Sequence, residues 1–348
     1  MDVRLYNTMN ELIEIYQRIA PELMSFVEER YSLLSHISHS QPVGRRMLST
    51  LTDLSERVVR SHVEFLKDNG LVEFTQQGMV LTDDGVVLLP KLGYALYELN
   101  KINELEDLIC KALHLNKVII SSGNGQMALK ELGFRAAQEI QHLVQPRAVV
   151  AVSGGSTLAA VANNMAAKNL DPIVIPARGG IGERVEYQAN VIASVLADKW
   201  HGTYKMLHLP DGLSQDSLRV LLEMEPQIKE INELAYRTDV LIFGIGRALH
   251  MAEQRHISDD VRCQLKIDAA VGEALGHYCT VEGRIVYATN NIGISLEQVN
   301  KVTHIVAVAA GFDKAEAIIG VMRACKKGIL IIDEQAAAGI VQILKLSK

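Results

Sequence analysis

The feature that most constrains this fold is a regular alternation of apolar runs with amphipathic segments between residues 116 and 348. The runs include AVVAVS at 148–153, DVLIFGIG at 239–246 and HIVAVAA at 304–310. Strands that lack polar alternation are buried on both faces, and strands that alternate with helices form a parallel sheet. We therefore expect residues 116–348 to form an α/β domain with a doubly wound, Rossmann-like parallel sheet.

Residues 1–90 follow a different pattern, one of short helices that ends in a hairpin. A helix is expected within VGRRMLSTL, 43–51, and another at 56–69, for which Ser55 is a favourable N-cap. The segment 71–85, LVEFTQQGMVLTDDG, has the composition of two strands joined around a glycine. A further helix is expected before these two, beginning at Pro21, because proline is tolerated in a first turn. Helix, helix, turn, helix and hairpin in this order predict a winged helix-turn-helix, which is a DNA-binding motif.

The charge of the predicted DNA-binding motif differs from that of the whole chain. The chain carries a formal charge of −6, which taken alone argues against nucleic-acid binding, but binding needs only a local basic surface. Residues 43–67 hold five basic and three acidic side chains, a local balance of +2. Because so small a balance attracts phosphate weakly, we expect binding as a homo-oligomer, a dimer or a tetramer. The candidate DNA-binding residues are Arg45, Arg46, Ser55, Arg57, Arg60 and Ser61. The alternative is a solvated, arginine-rich face.

Residues 91–115, KLGYALYELNKINELEDLICKALHL, are predicted to form one linker helix between the two domains. Its leucine and isoleucine side chains fall largely on one stripe, from Leu92 to Leu113. A helix with such a stripe needs a packing partner, which can be its own domain or the same helix in a second copy of the chain. The sequence leaves both alternatives open.

A glycine-rich turn, Ser153–Gly154–Gly155–Ser156–Thr157, follows one of the apolar runs and opens a helix. The glycines allow a sharp turn that gathers several backbone N–H groups, and the start of the helix adds partial positive charge. Gly154, Gly155, Ser156 and Thr157 are therefore candidate ligands of a phosphate group. The alternative is an ordinary strand-to-helix turn with a hydroxyl cap. The turn lacks the Gly-Lys-Ser/Thr of a P-loop and the spacing of a dinucleotide fingerprint.

Two further loops follow predicted strands and carry cations. Arg178, in PARGGIGERVEYQAN, is placed to donate to a phosphate, and Gln188 of the same segment to bond sugar hydroxyls. Lys314, in AAGFDKAEAI, stands in the first turn of a helix, where a cation is unfavourable for the helix dipole unless it meets an anion. Glu273 completes a predicted ring around one pocket. The alternative for each loop is a solvated surface turn.

Other classes of site are not indicated. The four cysteines are scattered and are expected to be reduced, buried thiols, not a zinc site or a disulfide framework. The histidines are dispersed, and no acid–base or nucleophile–base pair is evident, so we expect no enzyme activity and no cofactor. The amino-terminal segment lacks the character of a secretory signal and no apolar run is long enough to span a membrane, so a cytoplasmic protein is expected.

Four segments together resemble the SorC-type sugar-responsive transcription regulators, and within them the branch of the central glycolytic genes regulators. They are SERVVRSHVEFLKDNGLVEF, SGGST, PARGGIGERVEYQAN and GFDKAEAI, and the likeness runs over essentially the whole chain. The resemblance implies a repressor that binds operator DNA as an oligomer. It also implies an effector domain with the fold of glucosamine-6-phosphate deaminases and related sugar-phosphate isomerases.

The resemblance further implies fructose-1,6-bisphosphate as the effector that weakens operator binding. The loop at Gly154, Gly155, Ser156 and Thr157 would hold one phosphate with Lys314 nearby, and Arg178, Gln188 and Glu273 would line the sugar or the second phosphate. This chain departs from the family at the lysine loop, where two glycines are frequent and Ala310 precedes Gly311. An alanine tolerates a positive φ less well, which puts the shape of that loop in question.

Three functions are compatible with these features. The first is a DNA-binding regulator, by preference a repressor of glycolytic genes, that responds to a sugar phosphate. The alternative is a sugar-phosphate isomerase or deaminase with an appended DNA-binding module, because the fold itself does not exclude catalysis. The third is an oligomeric scaffold without a ligand, which leaves three glycine-bearing loops at strand ends unexplained.

Overall fold

The computed structural model describes residue 19 and residues 21–99, 102–121, 128–179, 184–209, 213–296 and 298–346. The chain divides into two units between residues 103 and 104, each with its own core. Among the described helices, none combines the length and the apolar character that crossing a bilayer requires.

The amino-terminal unit has the predicted order of elements. It consists of α1 (Pro21–Ser40), α2 (Arg45–Thr52), α3 (Glu56–Asp68), β1 (Val72–Phe74), β2 (Met79–Leu81) and α4 (Asp83–Leu99). The predicted cap is present, because Ser55 Oγ accepts a hydrogen bond from the Val58 N–H at 3.4 Å. The antiparallel β1–β2 pair turns near Gly78, whose φ is 147°. The winged helix-turn-helix prediction is thus confirmed.

Helices α1, α2 and α3 enclose the core of this unit. Their apolar side chains at helical spacing pack together, among them Leu34 of α1, Leu48 of α2 and Val63 of α3. The turn between α2 and α3 is set by Asp53, which adopts a left-handed φ of 56° at the end of α2. Short polar residues adopt this conformation at lower cost than most, so the sequence permits the tight change of direction that the motif requires.

The segment expected to form one linker helix belongs to two described helices. Helix α4 begins at Asp83, directly after the wing, and continues through Pro90 to Leu99; α5 spans Ile102–Leu113. Residues 100 and 101 lie outside the described residues. Leu92 packs against the amino-terminal core, while Ile109 and Leu113 are buried within the second unit. For these members of the stripe, the partner is therefore the chain itself.

The second unit contains eleven strands in its described part. They are β3 (Lys117–Ser121), β4 (Val149–Val152), β5 (Ile173–Pro176), β6 (Thr203–Tyr204), β7 (Val240–Gly244), β8 (Gly246–Arg247), β9 (Gly272–Ala274), β10 (His277–Cys279), β11 (Ile285–Ala288), β12 (His304–Ala309) and β13 (Ile329–Asp333). Seven of them form one parallel sheet in the order β3-β13-β12-β7-β4-β5-β6. The predicted doubly wound sheet is confirmed.

Helices surround this sheet. They are α6 (Ala128–Leu143), α7 (Ser156–Asn164), α8 (Ala189–Lys199), α9 (Gln215–Met224), α10 (Pro226–Tyr236), α11 (Ala248–Gln254), α12 (Asp259–Ile267), α13 (Ala315–Cys325) and α14 (Glu334–Leu344). The strands are the buried apolar runs of the sequence, and Val150, Ile242 and Val308 on three neighbouring strands are fully enclosed. Continuous apolar runs of this kind are typical of parallel strands, because helices cover both faces of a parallel sheet.

The direction of chain winding reverses between β4 and β7. From β4 the chain proceeds to β5 and β6 on one side, whereas from β7 it proceeds to β12 and β13 on the other. In open α/β sheets, such a switch point leaves a crevice at the carboxyl ends of the strands, where ligands bind. The two strand ends are tied together there, because the Gly244 N–H donates to Ser153 Oγ at 3.1 Å.

A second sheet of four short antiparallel strands, in the order β11-β10-β9-β8, lies beside the carboxyl end of β7. Its β10–β11 pair is a hairpin that turns near Gly283, whose φ is 87°. The sheet as a whole was not predicted, because strands of two to four residues have no clear hydrophobic period. It supplies Glu273 on β9 and Arg247 on β8.

The cysteines follow the prediction only in part. All four are free, and Cys279 and Cys325 are buried, where burial raises the pKa of each thiol to about 12. Cys110 is half-buried and Cys263 is exposed on α12, so the expectation of four buried thiols is wrong at these two positions.

Candidate functional site

The glycine-rich turn after β4 forms an open helix start. Gly155 precedes α7 with a φ of 121°, and no side chain caps the helix. A Cβ at Gly154 would lie 2.7 Å from the Tyr187 carbonyl oxygen, so only glycine fits there. Ser156 is exposed and Thr157 is buried. The uncapped N–H groups of the first turn, together with the Ser156 hydroxyl, form a site suited to one phosphate.

The same turn contacts the segment that carries Gln188. The Gly155 N–H donates to the Tyr187 carbonyl at 2.8 Å, and a Cβ on Gly154 would lie 3.3 Å from the Ala189 nitrogen. Gln188, between these two residues, begins α8. The structure therefore brings Gln188 next to the glycine-rich turn, although the two segments are distant in the sequence.

Arg178, at the end of β5, and Glu273 belong to one buried ionic cluster. Arg178 is 6 % exposed and Glu273 is 2 % exposed, with 3.7 Å between Arg178 Nη1 and Glu273 Oε1. A third member, Arg255, places its Nη2 3.2 Å from the same carboxylate oxygen. The Gly276 N–H also donates to Glu273 Oε1, at 2.6 Å. Two guanidinium groups thus approach one buried carboxylate, and guanidinium groups are well suited to donate to a phosphate.

Lys314 lies at the end of β12, in a group of charged residues that includes Arg247, Asp313 and Asp333. Arg247 Nη1 is 3.3 Å from Asp313 Oδ2, and the Gly311 N–H donates to both Asp333 oxygens, at 3.0 and 3.1 Å. Burial lowers the pKa of Lys314 below 10.5, and Arg247 lowers it further, whereas Asp313 and Asp333 raise it. A bound anion would favour the charged amine.

The departure at Ala310 leaves the lysine loop intact. The positive φ of this loop falls at Gly311, which has a φ of 104°, and Ala310 is not among the residues with positive φ. A second glycine is therefore not needed for this backbone conformation.

The order of strands in the sheet sets the distance between the end of β12, which precedes Lys314, and the end of β5, which precedes Arg178. Strands in a sheet are about 4.8 Å apart, and β12 is three strands from β5, so the two strand ends are separated by about 14 Å. The glycine-rich turn lies between them, after β4. The predicted ligand-binding residues therefore line one edge of the sheet, with a cationic group on each side of the helix start.

Replacing Lys314 by methionine is expected to weaken phosphosugar binding without lowering the thermal stability of the chain. The pKa of the amine is lowered in the folded chain, so its charge costs stability at neutral pH, and this cost disappears as the pH rises towards 10.5. At neutral pH the variant should melt at the same or a higher temperature than the parent. It should bind a phosphosugar about tenfold or more weakly, since a charged hydrogen bond contributes about 1.5–3 kcal/mol.

Calorimetry and thermal denaturation of Lys314→Met test this expectation, with the exposed Lys266→Met on α12 as the matched control. Unchanged phosphosugar affinity in Lys314→Met, or an equal loss in the control, would show that Lys314 is a surface lysine without a ligand.

The amino-terminal unit presents an arginine-lined recess between α2 and α3. The recess has a volume of about 700 Å³ and is lined by Gly44, Arg45, Arg46, Glu56, Arg57 and Arg60. Two of the arginines have weak partners, because Arg46 is 3.6 Å from Glu56 and Arg60 is 2.8 Å from Glu64 in exposed ion pairs. Ser55 and Ser61 are exposed at the start of α3 and on its first turns. The six candidate DNA-binding residues thus surround the start of one helix.

A partly buried network holds α3 against α1. His62 Nε2 is 2.7 Å from Glu29 Oε2, and Arg30 Nε donates to His62 Nδ1 at 3.3 Å. The Arg30 guanidinium also lies 3.7 Å from the centre of the Phe65 ring. These contacts fix the rotation of α3 and therefore determine which of its residues face outward.

Three functional candidates were missed by sequence reasoning. Arg255 lies at the end of α11, and no motif surrounds it in the sequence. The pairing of His62 with Glu29 joins α3 to α1, and no sequence pattern indicates that these two residues meet. Asp333 follows an apolar run, which is a detectable signal, because strand ends in such sheets carry site residues. In the described part of the chain, no group of three or more His, Cys, Asp or Glu side chains is arranged to hold a metal ion.

Comparison with known families accounts for both units. A family model of a sugar-binding domain matches residues 97–342, and a model of the CggR N-terminal DNA binding domain matches residues 26–96. The central glycolytic genes regulator of Priestia megaterium is 38% identical over 340 residues, which cover 96% of this chain and 99% of that protein. The protein of the same name from Bacillus subtilis is 35% identical over 334 residues, 94% of this chain and 98% of its own length.

Solved structures show the same fold. A SorC family transcriptional regulator from Enterococcus faecalis is 35% identical and matches with a TM-score of 0.63, covering 68% of this chain and 99% of its own. The full-length sorbitol operon regulator SorC from Klebsiella pneumoniae covers 92% of this chain and 98% of its own, with a TM-score of 0.65 at 15% identity. These relatives are named as transcription regulators, and neither family model is that of an enzyme, so the comparisons do not favour an isomerase or deaminase.

Proposed function

Because this chain belongs to the SorC-type transcription regulators, in the branch of the central glycolytic genes regulators, we propose that it represses glycolytic genes and releases its operator when it binds fructose-1,6-bisphosphate. Operator DNA and a sugar effector are its two partners. A regulator of this kind acts in the cytoplasm, and its mechanism needs no cofactor.

The observation that carries the choice of a bisphosphate is the presence of two cationic groups on either side of one helix start. One phosphate fits the turn at Gly154–Thr157, with Lys314 on one side. The Arg178–Glu273–Arg255 cluster on the other side holds two guanidinium groups for one carboxylate. A monophosphate can contact only one of these two cationic groups, whereas a sugar with two phosphates can contact both.

Operator binding is assigned to the recess between α2 and α3. The side chains of Arg57 and Arg60 are exposed at the start of α3, where residues of a recognition helix reach base edges. Arg45 and Arg46 begin α2, and we assign them to contacts with the phosphate backbone, which would position the motif on the duplex. Ser55 and Ser61 contribute hydroxyl donors beside them.

The functional unit is proposed to be at least a dimer, and a tetramer on DNA. The small local charge of the motif supports this, as does an apolar exposed face on α4 that includes Val86, Val87 and Tyr94. Light scattering is expected to give at least twice the mass of 38.3 kDa without ligand and a larger assembly with operator. A single-chain mass in both conditions would contradict this proposal.

The test of the whole proposal is a titration of the protein–DNA complex. Duplexes that bind the full chain can be selected from a random library, and fructose-1,6-bisphosphate is then added while binding is followed by fluorescence anisotropy. The sugar bisphosphate should release the selected DNA, and fructose, which has no phosphate, should not. If the complex were equally stable with and without the bisphosphate, the proposed effector would be wrong.

A further inference from the structure

A polar recess in the second unit lies next to the Arg178–Glu273–Arg255 cluster, and its lining includes none of the candidate phosphate-binding residues. It has a volume of about 350 Å³. Its lining comes from α9, from β10 and from the segment after β11: Gln215, Leu218, Arg219, Leu222, His277, Thr289, Asn290, Asn291 and Ser295. The lining thus combines three amide side chains, two hydroxyls, an imidazole and one guanidinium with two leucines, and includes no carboxylate.

Gly276 joins the recess to the ionic cluster. Its φ is 82°, and a Cβ there would lie 2.3 Å from Thr289 Oγ1, 2.8 Å from Asn291 Nδ2 and 3.2 Å from Arg178 Nη1. Two side chains of the recess and the guanidinium of the cluster therefore converge on one point. Because the Gly276 N–H donates to Glu273 at 2.6 Å and its carbonyl accepts from Thr289 Oγ1 at 3.3 Å, this glycine contacts both the cluster and the lining of the recess.

The recess is held in place by backbone pairing with the end of β5. Arg178 and Gly293 form an antiparallel bridge, and the Ile294 N–H donates to the Ala177 carbonyl at 2.7 Å. On the opposite wall, Leu218 of α9 packs with Ile292. A recess supported on both sides in this way keeps its polar groups in fixed positions, which selective recognition requires.

The side chains of the recess are oriented by their own hydrogen bonds. His277 Nδ1 is 3.0 Å from the Leu275 carbonyl, which can only accept, so this nitrogen carries a hydrogen. Thr289 Oγ1 donates to the Gly276 carbonyl at 3.3 Å, and Asn291 Nδ2 donates to the Leu275 carbonyl at 3.4 Å. These bonds use donors and leave the Asn291 and Thr289 oxygens as acceptors, as the hydroxyl groups of a sugar need.

We propose that this recess recognises the hydroxyl groups of the sugar whose phosphate meets Arg178, and that it determines which phosphosugars the chain accepts. The proposal rests on the proposed function and adds to it the part of the site that contacts the carbon chain of the sugar and its hydroxyl groups. Amide and hydroxyl groups bond the sugar hydroxyls, the leucines of α9 contact the apolar face of the sugar, and Arg219 adds a cation at the rim. Inorganic phosphate has no carbon chain with which to make these contacts, and a triose phosphate, which has a single free hydroxyl, makes fewer of them than a hexose.

Calorimetry on the full chain tests this with three probes: fructose-1,6-bisphosphate, dihydroxyacetone phosphate and inorganic phosphate. Asn291→Ala should weaken the hexose bisphosphate about fivefold to tenfold, since a neutral hydrogen bond lost in a pocket contributes about 1 kcal/mol or slightly more. The affinity for inorganic phosphate should not change, and the affinity for dihydroxyacetone phosphate should change less than that for the hexose. Arg219→Gln, at an exposed rim position, provides a second variant that does not depend on buried packing, and should also act mainly on the hexose. Asn300→Ala, outside the recess, is the matched control.

The possible outcomes distinguish a failure of the recess hypothesis from a failure of the proposed function. If Asn291→Ala and Arg219→Gln bind all three probes as the parent does, while Arg178→Ala has lost them, the recess does not read the sugar and the proposed function stands. An equal loss for all three probes in Asn291→Ala would assign Asn291 to the phosphate and overturn the hydroxyl recognition. A stoichiometry of two hexose molecules, one of them lost in Asn291→Ala, would make the recess a separate site and also overturn it. If the parent binds no probe, the proposed function and the inference both fail.

Discussion

Replacing Arg178 by alanine is expected to reduce the affinity for fructose-1,6-bisphosphate at least tenfold while operator binding is retained. A charged hydrogen bond contributes about 1.5–3 kcal/mol, which corresponds to a change in affinity of about 10- to 150-fold. The Arg178 side chain is 6 % exposed and is oriented by its Nε–H bond to the Gly179 carbonyl at 3.1 Å. It therefore loses little conformational entropy when it binds a phosphate. The repressor should then remain on its operator when the effector is added.

The stability of this variant is expected to change less than for an ordinary buried ion pair. Removing one partner of a buried pair costs about 3–5 kcal/mol because it leaves an unpaired charge. Here Arg255 Nη2 remains 3.2 Å from Glu273 Oε1 and the Gly276 N–H still donates to it, so the carboxylate keeps two partners. A cooperative thermal transition near that of the parent should therefore accompany the loss of effector binding.

Calorimetry with the sugar bisphosphate and anisotropy with operator DNA measure the two properties separately. Arg184→Ala is the matched control, because Arg184 lies on the same segment but is exposed, where it is 3.7 Å from Glu186 and donates to the Tyr187 hydroxyl at 3.4 Å. If Arg178→Ala binds the bisphosphate as tightly as the parent, the effector site lies elsewhere. A simultaneous loss of DNA binding would instead indicate a folding defect.

Arg60→Ala is expected to produce the largest loss of operator affinity. One arginine contact to DNA contributes about 1–3 kcal/mol, and in a symmetric dimer both half-sites lose it, so the total is about 2–6 kcal/mol. In the free chain Arg60 pairs with Glu64 at 2.8 Å, but both side chains are exposed. Exposed pairs contribute only about 0–1 kcal/mol, so Arg60 leaves Glu64 for DNA at little cost.

Anisotropy over a range of salt concentrations distinguishes how Arg60 acts. Loss of a base contact should weaken specific DNA more than random DNA, whereas loss of a phosphate contact should weaken both and reduce the salt dependence. Arg237→Ala makes the same charge change on the exposed end of α10 and should have no effect. Undiminished affinity of Arg60→Ala for the selected operator would remove Arg60 from the interface.

Short windows of sequence were sufficient to predict the features that depend only on residues close together in the chain. The cap at Ser55, the glycine at position 155 and the apolar strands each follow from a short window of sequence, because backbone sterics and helix-end hydrogen bonds act over a few residues. The order of motifs was enough to predict a winged helix-turn-helix followed by a parallel sheet. Arg178, Gln188 and Lys314 were identified as candidates because each stands in a segment that follows an apolar run, and Glu273 was added as the carboxylate that completes the ring.

What the sequence determined by itself is the winged motif, the parallel strands with their helices, and the edge of the sheet at which we expect ligands to bind. The tertiary structure alone decided which of these residues meet. Glu273 approaches Arg178 and Arg255 because β9 belongs to a small antiparallel sheet beside the end of β7, and no local period signals such pairing. The helix interface of His62 with Glu29, and the recess around Gly276, likewise depend on contacts between distant segments. Packing selects such contacts from many alternatives of similar local energy, and the selection exists only once the core has formed.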